Sequence, residues 1–93
     1  MSKGIEVTAV KIFPFIEAPS LGRVRGMATV VLNGAIRIRG LRIMSGDTGM
    51  FVGYPVDPFY KGEEIRYVVD CCDNEVRQAI EKAVLEKYEE LTA

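Results

Sequence analysis

With 93 residues, 12 Lys and Arg against 13 Asp and Glu, and 48% apolar residues, the chain suits one domain (residues 1–93) and holds no apolar run long enough to span a membrane. It has no His and two Cys, which excludes an imidazole base, a Ser-His or Cys-His nucleophile pair, a His metal ligand, and a structural zinc site made by its cysteines alone. No enzyme activity, catalytic residue, metal, cofactor or small-molecule substrate is therefore expected, and an N-terminus without an apolar signal core points to the cytosol.

Ile5 to Phe13 is rich in β-branched residues and reads as a first strand, ended by Pro14; Pro14 to Gly22 reads as a loop. Arg23 to Val31 alternates, with Val24, Gly26, Ala28 and Val30 on one face and Arg23, Arg25, Met27 and Thr29 on the other. Ala35 to Met44 is a third strand with Ile36 and Ile38 opposed to Arg37 and Arg39. Ser45 to Gly49 makes a turn, Met50 to Tyr54 a fourth strand, Val56 to Gly62 a loop, and Glu64 to Asp70 a fifth strand. From Asp73 the period becomes helical: Val76, Ile80, Ala83, Val84, Tyr88 and Leu91 form one stripe. Asp73 is the expected N-cap, and Arg77–Glu81 and Lys82–Glu86 are spaced to pair across a turn. The order predicts an α+β domain, a five-stranded antiparallel sheet carrying one C-terminal amphipathic helix. So small a core is helped by oligomerisation.

Register decides where the arginines go. A two-residue Asn33-Gly34 turn sets Arg37 against Val30 and mixes apolar and charged faces. A three-residue loop, Leu32-Asn33-Gly34, pairs Val30 with Ile36 and Ala28 with Ile38, and burial favours it. Beyond Ile38 the alternation slips, and a bulge at Arg39-Gly40 returns Leu41 and Ile43 to the core side. Arg23, Arg25, Arg37, Arg39 and Arg42 then share one face. Such a face repels itself unless something anionic covers it. Two anions qualify: nucleic acid, whose phosphates suit cations about 6.6–6.8 Å apart along a strand, or the protein's own acidic half, in cis or across an interface. Residues 1–42 carry seven basic and two acidic side chains and residues 43–93 five basic and eleven acidic ones, so both remain open.

The ordered set Ile5-Glu6-Val7-Thr8-Ala9-Val10-Lys11, Leu41-Arg42-Ile43-Met44-Ser45-Gly46, Gly49-Met50-Phe51-Val52-Gly53-Tyr54-Pro55 and Ile80-Glu81-Lys82-Ala83-Val84-Leu85-Glu86-Lys87-Tyr88 resembles the SpoVG family, bacterial proteins associated with sporulation and septation. The resemblance covers nearly the whole chain. It implies a small α+β homodimer that acts as a regulator, with DNA and RNA binding attributed to family members. Two departures stand out: Asp57-Pro58 occupies the place of a Lys-Arg pair near the family's nucleic-acid contacts, and Asp70-Cys71 that of a His-Pro. The expected mode is occupancy, with Arg23, Arg25, Arg37, Arg39 and Arg42 holding phosphates while Phe59, Tyr60, Lys61 and Arg66 of the following loop modulate preference. The rival reading is an adaptor whose arginine face meets acidic proteins.

Cys71-Cys72 is expected as two free thiols in a reducing compartment. Phe51, on a strand, is expected in the core.

Overall fold

A computed structural model describes residues 4–15 and 22–92. Four strands, β1 (Val7–Pro14), β2 (Val24–Leu32), β3 (Ile36–Gly46) and β4 (Gly49–Gly53), form an antiparallel meander in the order β1-β2-β3-β4, followed by one helix, α1 (Asn74–Thr92). Most of the expected Pro14–Gly22 loop lies outside the described residues. Among those described, no helix is long and apolar enough to cross a membrane.

The helix lies on one face of the sheet. Val76, Ile80 and Val84, spaced by four, meet Ile12, Ala28, Val30, Leu41, Ile43, Val52 and Tyr54 in a single buried cluster. Each buried Val, Leu or Ile there contributes about 1.5–3 kcal/mol relative to exposure. Asp73 caps the helix as expected: its Oδ1 accepts the Val76 N–H at 3.0 Å. Leu91 is 53% exposed, so the apolar stripe ends before it. Neither Arg77–Glu81 nor Lys82–Glu86 closes as an ion pair. Arg77 instead donates to the Cys71 carbonyl at 2.7 Å, and Glu81 accepts the Val52 N–H of β4 at 3.4 Å.

The β2–β3 connection corrects the expected register by two residues. Asn33 (φ 54°) and Gly34 (φ 61°) are both left-handed, the type I′ pattern, and the Ala35 N–H closes the turn on the Leu32 carbonyl at 2.9 Å. Ala35 is the third loop residue, so Leu32 faces Ile36 and Val30 faces Ile38. Local chemistry selects this turn. Asn33 tolerates the left-handed region, and its side chain accepts the Glu6 N–H at 2.7 Å and donates to the Gly4 carbonyl at 2.9 Å, while Thr8 Oγ1 accepts the Gly34 N–H at 2.8 Å. A shift of two preserves the faces, so the apolar positions still coincide.

The bulge at Arg39-Gly40 forms. Val30 faces Ile38 but Ala28 faces Leu41, so β3 carries one extra residue there, and Gly40 takes φ 84°. A second irregularity places an extra residue on β2 at Arg25, between the pairs Val24–Met44 and Gly26–Ile43.

The expected fifth strand, Glu64–Asp70, does not form. Only a single bridge, Val56–Tyr67, joins this stretch to the segment after β4, flanked by the Asp57 N–H on the Arg66 carbonyl and the Val68 N–H on the Pro55 carbonyl. Pro55 and Pro58 bracket the would-be partner strand and supply no N–H, so a ladder cannot propagate. Phe51 is also corrected: it is 42% exposed and lies over Gly46 on the face away from the helix, because Val52 and Tyr54 take the inward positions.

Urea unfolding tests this assignment. Leu41→Ala is expected to lower stability by about 2–5 kcal/mol and Gly40→Ala by about 1–3 kcal/mol. Ile36→Ala, at a position 60% exposed, should change it by no more than about 0.5 kcal/mol. An Ile36 effect as large as that of Leu41 would contradict the register.

Candidate nucleic-acid interface

The face of the sheet opposite the helix is built by the outward positions of all four strands. Register places Ala9, Val31 and Arg37 in one row, Phe13, Met27, Arg42 and Gly53 in another, and pairs Lys11 with Thr29 and Met44 with Phe51. The four strands contain no Asp or Glu. The helix on the other face carries five acidic and three basic residues. Charge is therefore divided between the two sides of one sheet, and the acidic helix cannot reach across to cover the cations.

The five arginines do not act as one group. Arg37 and Arg39 are exposed on this face, where they line a depression of about 340 Å³ with Lys11, Phe13 and Thr29. The Lys11 ammonium stands 5.2 Å from the Phe13 ring centroid, a cation–π contact. Arg42 is half-buried, its guanidinium crossing Gly53 toward the Tyr54 carbonyl at 3.5 Å. Arg25 is the extra residue of the second irregularity, and its Nη1 donates to the Gly22 carbonyl at 2.8 Å. Arg23 pairs with Asp47 of the β3–β4 turn at 3.1 Å; with side chains 60% and 89% exposed, that pair adds little stability. Part of the arginine set thus finds an anion in cis, as Arg23 does at Asp47.

Lys11 was not among the expected site residues, although its signal is plain. Val10 and Ile12 alternate with Lys11 and Phe13, so once the inward pair is chosen the outward pair follows.

The loop after Pro55 forms its own group. Asp57 accepts the Phe59 N–H at 2.9 Å in an Asx turn, and Phe59 is 85% exposed. The Arg66 guanidinium sits 5.0 Å from the centroid of Tyr60, whose ring is half-covered; Lys61 is exposed. Gly40 meets Pro55 across the bulge, so the loop starts beside the arginine strand.

On the helix side, Tyr54 is 5% exposed and its hydroxyl has no hydrogen-bond partner, while Arg77 lies 5.2 Å from its ring centroid. Burial pushes the phenol above its usual range, Cys71, Glu81 and Asp70 add to this, and Arg77 opposes it. Both cysteines are free; Cys71 donates to the Asp73 carbonyl at 3.3 Å.

A family model described as SpoVG matches residues 5–90. Among curated relatives, proteins named "Putative septation protein SpoVG" are similar to this chain. That of Fusobacterium nucleatum is 36% identical over 90% of this chain and 88% of its own length. That of Symbiobacterium thermophilum is 37% identical over 76% of this chain. That of Staphylococcus aureus is 31% identical over 75% of this chain and 69% of its own. The chain spans half the length of the Symbiobacterium protein.

The Tyr54 geometry predicts an alkaline signature. A phenol whose pKa is higher folded than unfolded favours the folded state below about pH 10, and that contribution is lost as pH rises through the folded value. Ultraviolet titration should show one tyrosine ionising above the ordinary range, and Tyr54→Phe should remove that component. Because the lost hydroxyl is unpaired, the substitution should leave stability at neutral pH unchanged or raise it. A loss beyond about 1 kcal/mol would show a hydrogen bond the geometry lacks.

Proposed function

The chain belongs to the SpoVG family, and from that membership we propose that it is a small cytosolic regulator of the septation and sporulation type that works by occupying nucleic acid. The observation that carries this reading is the division of charge. Lys11, Arg37, Arg39 and Arg42 share a face whose strands carry no carboxylate, and the acid-rich helix is held behind the sheet. Of the two anions open to the arginines, the cis candidate Asp47 is taken up by Arg23 at the β3–β4 turn. Phosphates suit Arg37, Arg39 and Arg42: guanidinium groups bind them in bidentate fashion and stay charged at any physiological pH. The exposed loop residues Phe59 and Lys61 lie after Pro55, which abuts Gly40 of the arginine strand, and extend the contact surface.

The reading includes a homodimer. The strand order leaves β1 and β4 as edges, and Ile36, Ile65 and Val68 are 60%, 71% and 62% exposed. Edges and apolar patches of this kind are what a second copy buries.

Anisotropy of labelled oligonucleotides tests the function. With about four phosphates neutralised, affinity should fall roughly 50- to 150-fold between about 50 and 200 mM salt. Arg37→Glu with Arg39→Glu should abolish binding while leaving the melting curve intact, since both side chains are exposed. Light scattering on the same sample should give twice the protomer mass. No binding at low salt, with capture of an acidic protein instead, would favour the adaptor reading.

A further inference from the structure

We infer that the depression formed by Lys11, Phe13, Thr29, Arg37 and Arg39 is a subsite for one unstacked nucleotide, so that the open face takes single-stranded nucleic acid in preference to duplex. This rests on the nucleic-acid reading above and specifies its ligand.

The depression combines the two chemistries a nucleotide needs. Lys11, Arg37 and Arg39 supply three cations, and Phe13 supplies an aromatic ring that is 46% exposed. Thr29, on β2 between the lysine strand and the arginine strand, adds a hydroxyl that both donates and accepts. It stands opposite the Arg39-Gly40 bulge, where the pairing passes from Val30–Ile38 to Ala28–Leu41. Arg37 and Arg39 share this recess by strand alternation, and the bulge lets them do so while Leu41 and Ile43 face inward. Phe51, 42% exposed on β4, offers a second ring at the far side of the same face.

Duplex cannot use these rings. Its bases are stacked on one another, and base edges in the major groove are reached by an element that enters a cleft about 12 Å wide. Four strands about 4.8 Å apart make a face about 14 Å across between outer backbones alone, too broad to enter. Against duplex the face meets phosphates only and leaves Phe13 and Phe51 idle. A single strand presents both phosphate and an exposed π-face, and stacking on an aromatic side chain tolerates any base.

The test compares a labelled pyrimidine single strand, as RNA and as DNA, with the matching duplex in one buffer. Single strands should bind at least about tenfold tighter. Phe13→Leu should weaken single-strand binding by roughly 5- to 140-fold, the range for losing one stacked base, without changing the salt slope. Phe13→Tyr should retain affinity, and Lys11→Ala should lower the slope by about one phosphate's share. Thermal melts confirm that each variant folds. Equal or tighter duplex binding, or a Phe13→Leu variant that binds single strands normally while the Arg37/Arg39 double variant does not, would overturn the subsite and spare the nucleic-acid reading. Loss of all binding in the parent protein at low salt would overturn both.

Discussion

Strand β3 must serve two masters, and a single backbone feature lets it do so. From Ile36 to Ile38 its apolar residues are even-numbered; from Leu41 to Ile43 they are odd-numbered. One extra residue at Arg39-Gly40 reconciles the two halves, and only a glycine accepts φ 84° there without steric cost. Without that reset Leu41 and Ile43, both fully buried, would turn to solvent and Arg42 would point into the core. The bulge therefore fixes the hydrophobic cluster and the cationic face in one step.

Once the faces are set, the charge pattern follows from where the helix packs. Val76, Ile80 and Val84 bind α1 to one side of the sheet, and its acidic residues go with it. A near-neutral total charge then conceals a molecule with a basic side and an acidic side. At physiological ionic strength, screening reaches about 8 Å, and stacked layers of secondary structure lie about 10 Å apart. The helix carboxylates thus do little to quiet the arginines across the sheet.

Much of this was legible in residues 5–14, 24–54 and 73–88, where β-branched runs, alternation or helical spacing are clean: four strands, the helix, the Asp73 cap and the Arg39-Gly40 bulge. What escaped has identifiable causes. The stretch Glu64–Asp70 has strand-like side chains, but strand formation needs a partner, and Pro55 and Pro58 disable the one available. The β2–β3 register was missed by two because the turn is chosen by Asn33 and Thr8 side-chain hydrogen bonds to distant backbone, which periodicity does not encode. The irregularity at Arg25 separates Arg23 and Arg25 from Arg37 and Arg39, and no residue pattern in β2 announces it. Lys11 and Phe13, by contrast, could have been assigned from their alternation with Val10 and Ile12.

The central claim is that the sheet face whose strands carry no carboxylate is where a polyanion sits. Amide chemical-shift mapping during titration with a short single-stranded oligonucleotide addresses it most directly. Shifts concentrated on Lys11, Phe13, Thr29, Arg37, Arg39 and Arg42, with the amides of α1 unmoved, are the predicted result. Shifts concentrated on α1 while β1, β2 and β3 stay unchanged would contradict it.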